Sequence, residues 1–347
     1  MDVQESVRKQ NEIVLRLAKH VIATTAGKTS NLVFSPALIN VILSFIAARS
    51  PGATQDQILS LLQASSTDEL NAVSSKIVTT VLADSTPSGG PTINAANGVW
   101  IDKSLCIEQS FKDLLETSYK AAFNQVDFRT KADEVTEEVN AWVEKQTNGL
   151  ITDLLPPKTV SPWTDLIFAN TLFFNGRWEK EFDPSLTVDS DFYLLDGTKE
   201  RVPFMVGNFG TRLVAYEGFK VLDLPYRLGR DYMEDHRRFS MEIFLPDDKD
   251  GLPSMLETLA STRGILNASE ALKGLGLTVE TIFHKSCIEV DEVGSKAAAA
   301  AVTLETSCGP GEKKYDFVAD HPFLFLVKEY RSGLVLFLGQ VIDPSMH

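Results

Sequence analysis

Cysteine is scarce in this 347-residue chain: Cys106, Cys287 and Cys308 are an odd set at wide spacing. They make no disulfide framework and no CxxC metal pair. Long apolar runs are missing too. No stretch approaches the ~20 residues a membrane helix needs, and the N-terminal residues mix charged and apolar side chains at helical spacing where a secretory signal carries an unbroken apolar block. A cytoplasmic location is expected from this, with no membrane partner. Positive charge is in deficit, 33 Lys and Arg against 47 Asp and Glu, for a net −14. That sign disfavours phosphate backbones, so no nucleic acid is expected. The five histidines are scattered without an HExxH pattern, and no metal site is expected. Gly274-Leu275-Gly276-Leu277 follows a helical stretch instead of opening one, so it is no phosphate loop and implies no cofactor. Repeats and long Pro/Gly/Ser linkers are absent, which argues for a single domain over 1–347. Asn267-Ala268-Ser269 reads as a chance sequon.

What the chain does have is a change of period. Apolar residues recur at i, i+3 and i+4 over residues 3–25, 36–50, 54–62, 67–82, 107–119 and 132–148, predicting helices. Ser35 before Pro36 suits a helix start, and Asn148-Gly149 suits a left-handed stop. From about Asp165 strands take over. Residues 166–174 form a nearly continuous apolar run, as in a central strand covered on both faces. Shorter strands are expected at 192–195, 202–205, 211–216, 221–226, 239–245 and 282–291, and a hairpin at 323–327 and 334–341 around Arg331-Ser332-Gly333. Helices first and strands later predict an α+β fold.

A hydrolase triad drawn from Cys308 or Ser307 with Asp320 and His321 is rejected, because neighbours on a strand point to opposite faces. The segment from Glu292 to Lys314 is the unusual one. Small residues including Ala297–Ala301 run into Gly309-Pro310-Gly311, and the whole lies between two expected strands. It reads either as an alanine-rich surface helix capped by Ser295 or as a long exposed connection.

The run HKSCIEVDEVGSKAAAAAV from His284, followed by DFVADHPFLFLV from Asp316, resembles the hinge, reactive loop and C-terminal signature of the serpin family, with wording closest to plant members. NLVFSP from Asn31, NGVW from Asn97, NAWVEKQTNGLITDLL from Asn140, ANTLFFNGRWEKEFDP from Ala169 and GQVIDP from Gly339 match in order, so the resemblance spans nearly the whole chain.

The resemblance implies a single serpin-like domain of helices packed on β-sheets with an exposed reactive loop at about 294–315. The activity it implies is inhibition of a serine or cysteine endopeptidase as a suicide substrate, the chain itself being no enzyme and acting as a monomer. The protease attacks the loop, and the cut loop enters the central sheet as a new strand before deacylation. Glu292, Gly294, Ser295, Ala297, Ala298, Ala299, Ala300 and Ala301 match the hinge, whose small side chains pass between packed strands. Family spacing puts the scissile bond at Cys308-Gly309, within one or two residues. Ser35, Asn170 and His284 match the polar cluster under the opening strand, and Trp178 the tryptophan near the point of entry. The same four also read as a helix cap, a strand polar residue, a satisfied histidine and a core aromatic. Family members also occur in the extracellular space.

Two departures stand out. The family's strands between the Leu245-Pro246 turn and the His284 strand, one of them outermost in the central sheet, have no counterpart in 251–281, and Leu38 replaces a second polar-cluster serine. An exposed edge at the His284 strand is expected. A non-inhibitory serpin-fold binding protein, or an inactive paralogue, is the alternative.

Overall fold

The structure, a computed structural model, describes residues 5–7, 22, 30–50, 52–207, 212–230, 236–261, 282–283, 290–295, 301–304 and 317–346. Strand β1 (Leu32–Phe34) leads into the helix Pro36–Arg49, and helices Ala53–Leu61 and Thr67–Lys76 follow. Ser35 caps the first: its Oγ accepts from the Leu38 amide at 3.3 Å, and Pro36 takes the first helical position, where a missing N–H costs nothing. Ser66 caps the third and Glu69 reaches back to the Ser65 amide, but the helix loosens into a π turn over Ile77–Val81, short of the even helix expected to residue 82.

Between the expected helices lie two strands that the periodicity did not mark, β2 (Thr92–Asp102) and β3 (Ala121–Val126), which enclose the helix Gln109–Ser118. Asn94 and Asn97 hide β2, because asparagine reads as a turn residue. In the fold their amides donate to the carbonyls of Gln146 and Tyr119 at 2.7 and 2.6 Å. The helix Phe128–Gln146 begins earlier than residue 132. Asp127 caps it, while Lys131 at φ −135° breaks the periodicity near the expected start. Its far end is as expected, with Asn148 and Gly149 both left-handed.

Next come β4 (Leu166–Arg177), β5 (Val188–Tyr193), β6 (Lys199–Gly207), β7 (Leu213–Tyr216), β8 (Phe219–Pro225) and β9 (Phe239–Pro246), then the helix Leu252–Ser261. The last strands are β10 (Ile282–Phe283), β11 (Gly294–Ser295), β12 (Ala301–Leu304), β13 (Phe317–Val318), β14 (Phe323–Glu329) and β15 (Val335–Val341). One sheet has the order β1-β15-β14-β9-β8-β7, a second β10-β4-β2-β3, and a third β13-β12-β6-β5. The expected hairpin is β14–β15, and the buried Glu329 carboxylate accepts the amides of Arg331 and Ser332 to shape its turn.

β4 is buried along its length except at its ends, as its apolar run predicts. Phe45 of the Pro36–Arg49 helix stacks on Phe168 with ring centroids 4.5 Å apart and planes at 18°. The second sheet is thus covered by that helix, and burying each such ring stabilises by about 1.5–3 kcal/mol.

Candidate functional site: the hinge and the sheet it enters

Of the residues matched to the hinge, Glu292, Gly294 and Ser295 lie at one end of β4. β10 runs parallel to β4, with Ile282 opposite Phe168 and Phe283 opposite Ala169. β11 runs antiparallel to the same strand, with Gly294 opposite Arg177 and Ser295 opposite Gly176. The chain has therefore reversed between Phe283 and Gly294. Asp291 makes the turn: its Oδ1 accepts from the amides of Val293 and Gly294 at 2.9 Å each, and its own amide donates to the Gly294 carbonyl at 2.8 Å.

Side chains on the β4 end fix this turn. The Trp178 amide donates to the Val293 carbonyl at 2.9 Å and its indole Nε1 to the Asp291 carbonyl at 2.8 Å. The Phe182 amide donates to the Glu292 carbonyl at 2.9 Å, and Thr187 Oγ1 donates to the Glu292 carboxylate at 2.8 Å. The Trp178 ring stacks on Tyr226, centroids 4.8 Å apart, and the Tyr226 hydroxyl is hydrogen-bonded to Ser295 Oγ. Burial pushes the Tyr226 hydroxyl far above the ordinary tyrosine range, although the Ser295 bond opposes this, so it stays protonated. Ser295 and Gly294 are buried. A Cβ on Gly294 would sit 2.1 Å from the Gly176 carbonyl oxygen, so only glycine fits there.

This corrects one expectation. The exposed loop was expected to begin at residue 294, yet Gly294 and Ser295 already form strand, and the backbone of Ala301–Leu304 forms β12, parallel to β6 and antiparallel to β13. Sheet hydrogen bonding at both places overrides the loop-like composition. Neither described piece is helical, which removes the surface-helix reading for them. The expected strand 282–291 is likewise described as strand only at 282–283, and Asp291 belongs to the turn.

Of the polar cluster, the structure brings Ser35 and Asn170 together through Leu38. Ser35 Oγ takes the Leu38 amide, and Asn170 Nδ2 donates to the Leu38 carbonyl at 2.9 Å. The Leu38 side chain packs into the core, so the departure from serine leaves no orphan polar group of its own. Asn170 Oδ1, Thr171 Oγ1 and Asn97 Oδ1 are buried and have no hydrogen-bond partner among the described residues. Asn97 lies opposite Asn170 on β2. A buried polar atom left without a partner costs about 1–3 kcal/mol. His284, Ala297, Ala298, Ala299, Ala300, Cys308 and Gly309 lie outside the described residues.

Sequence reasoning missed Tyr226, Phe182 and Thr187. The bridge that pairs Trp178 with Tyr226 joins residues far apart in the chain, and no local pattern marks it. The objection to a triad also needs correcting. Asp320 and His321 are bonded to each other, Oδ1 to Nδ1 at 2.7 Å, because residues 319–322 are not strand and alternation does not apply. His321 Nε2 lies 2.9 Å from the Pro246 carbonyl, so both ring nitrogens are engaged, and neither by a nucleophile. Burial raises the Asp320 carboxyl, but the bond to His321 and the charges of His321 and Lys249 outweigh it and hold the group below the usual range. Among the described residues no cluster could hold a metal ion, and no helix is long and apolar enough to cross a membrane.

Comparison with known proteins agrees with this geometry. The family model described as "Serpin (serine protease inhibitor)" matches residues 8–273 and 263–344. "Serpin-ZX" of Arabidopsis thaliana is 49% identical over 394 aligned positions, covering 99% of this chain and 100% of that protein. "Probable non-inhibitory serpin-Z5" of the same plant is 44% identical, with 99% of this chain and 86% of that protein covered. Among solved structures, "Structure of Arabidopsis AtSerpin1. Native Stressed Conformation" superposes with a TM-score of 0.84 at 47% identity, covering 99% of each chain. The alignment of 394 positions exceeds the 347 residues here by 47, and the two matches to the family model meet at residues 263–273, in the interval where strands were expected to be missing. With motifs in order along the chain, the reversed hinge and these matches all agreeing, the chain belongs to the serpin family.

Proposed function

We propose that this chain inhibits endopeptidases as a suicide substrate, and that the two residues of β11 are the first rung of the strand its loop forms after cleavage. The carrying observation is the register: Ser295 opposite Gly176, antiparallel to β4, on a chain that has already turned back. Continued without a slip, this pairing places Ala297 opposite Phe174, Ala299 opposite Leu172 and Ala301 opposite Asn170. Among the described residues, 170–175 of β4 have a strand partner on the β2 side alone. Methyl-sized side chains can enter there between packed neighbours, and the withheld ladder is what cleavage releases.

The reactive bond is Cys308-Gly309 in this reading. Cys308 lies thirteen positions beyond Ser295, so full insertion moves an acyl-linked protease roughly 45 Å at ~3.4 Å per residue. A small thiol at this place suits a shallow pocket, or a cysteine protease reading neighbouring residues, and does not suit a pocket that selects Arg or Lys. The test is incubation with a panel of serine and cysteine proteases followed by denaturing electrophoresis. A covalent complex that survives boiling in SDS is expected. Clean cleavage of the chain by every protease that attacks it, without a complex, would overturn the reading.

A second reading rests on β10, which is the outermost strand described on its side of the second sheet. A sheet without a further neighbour there grips an inserted strand less firmly. A non-inhibitory serpin-fold binding protein would show cleavage without a complex.

A further inference from the structure

Trp163 is 87% exposed, more than any other large apolar side chain among the described residues. A single apolar residue at a surface is ordinary, but the turn that carries this one is fixed by several hydrogen bonds. The Thr164 amide donates to the Ser161 carbonyl at 2.9 Å, the Ser161 amide to Thr164 Oγ1 at 3.1 Å and the Trp163 amide to Ser161 Oγ at 3.3 Å. Arg129, in the first turn of the helix Phe128–Gln146, braces the same residues: its guanidinium donates to the carbonyls of Pro162 and Thr164 and to the Asp165 carboxylate. The Asp165 carbonyl takes the Asp102 amide at 3.0 Å, which ties the turn to the end of β2. Pro162 is exposed beside Trp163 in the chain. An indole held out on so constrained a backbone gives up little conformational freedom when a partner covers it, which is how binding anchors work.

The turn leads directly into β4 at Leu166, so it stands at the end of that strand away from the hinge. Direction follows from β11, which faces Arg177 and Gly176 and runs antiparallel to β4. A strand lengthened from there along β4 travels towards Leu166. β4 has twelve residues and spans roughly 40 Å, so the displacement of roughly 45 Å derived above carries an acyl-linked protease to its far end. A folded domain is roughly 30 Å across or more, much wider than one strand. The Ser161–Asp165 turn therefore falls under the arriving protease without depending on the exact residue that carries it.

We infer that Trp163 is an anchor against which the translocated protease comes to rest, and that burying its indole there prolongs the inhibitory complex. The partner is the acyl-linked endopeptidase, held through an apolar contact made only after translocation. Deacylation needs water to add to the acyl carbonyl and the protease serine or cysteine to leave. A contact present only in the translocated state shifts the population towards that state and away from earlier ones in which the protease still deacylates. The anchor rests on the inhibitory reading above, whereas the rigid, exposed turn does not.

The test forms complexes with pancreatic elastase and with papain, using the full native chain, Trp163→Phe and Trp163→Ser. Melting of the intact protein and the rate at which the protease attacks the loop should be unchanged in both variants, because Trp163 is exposed and lies at the far end of β4. The half-life of the SDS-stable complex should fall about tenfold in Trp163→Ser, with Trp163→Phe recovering part of the loss. The emission of Trp163, taken as the difference between native and Trp163→Ser spectra, should move to shorter wavelength in the complex and stay in place in loop-cleaved protein free of protease. Equal half-lives, or an unmoved emission in a complex that does form, overturn the anchor and leave the inhibitory reading standing. Absence of a complex with both proteases overturns the anchor and counts against that reading as well.

Discussion

Two single residues, Ser295 and Asp127, carry sharp expectations. Replacing Ser295 with Arg puts a charged chain where the Tyr226 hydroxyl now closes a buried contact, and desolvating it costs on the order of several kcal/mol. Stoichiometry-of-inhibition assays should show Ser295→Arg consumed as a substrate. An unchanged stoichiometry would count against insertion. Asp127 gives the pH prediction. A hydrogen bond from Lys103, then one from Thr130, hold its carboxyl at about 2, against an ordinary 3.8. A depressed carboxylate stabilises the fold fully above its unfolded pKa, and this stabilisation is lost as pH falls through the folded value. The melting difference between the native chain and Asp127→Asn should be full above about pH 5 and vanish towards pH 2. A difference independent of pH would refute the assignment. Asn can still cap the helix, so the difference isolates the carboxylate. At this scale motifs singled out Ser35, Asn170 and Trp178, which lie in buried contacts, whereas nothing in the sequence singled out Tyr226, whose stack is with a residue reached only through the fold.

At the scale of elements, the strands legible in the sequence were those with a uniform environment. β4 is covered on both faces and reads as one apolar block; β2 carries two asparagines whose partners lie on other elements, and its pattern vanishes. The pairing of β11 with β4 was beyond sequence reasoning, because Gly-Ser has no strand signal of its own. Its register now yields a limit. Continued in this register, residues 302 and 303 fall opposite Ala169 and Phe168, where β10 is bonded. Further entry requires β10 to part from β4. Glu305 then falls opposite Leu166, on the face that carries Ser295 and Asn170. Burying that carboxylate without a partner disfavours the last steps. Glu305→Ala should therefore raise the melting temperature of cleaved protein while leaving the intact protein unchanged. Equal values for the cleaved native chain and the cleaved variant would show that Glu305 does not enter.

For the whole molecule, the order of helices and strands and the ordered motifs made the α+β serpin fold legible. The state of the sheet was not legible, because it depends on which edges of β4 are occupied. β12 adds a constraint of the same kind: Ala301–Leu304 is paired on both sides in the third sheet, so deep insertion must first release it. Buried side-chain atoms of Asn97, Asn170 and Thr171 have no hydrogen-bond partner among the described residues, and all three lie in the middle of the sheet that the loop would have to enter. The most direct measurement is thermal melting of the intact protein and of protein cut once within residues 305–316. A rise of about 5 °C or more on cleavage, corresponding to a gain of ~4 kcal/mol at this size, is the predicted result. An unchanged or lower melting temperature in the cut protein would contradict insertion, and with it the inhibitory mechanism.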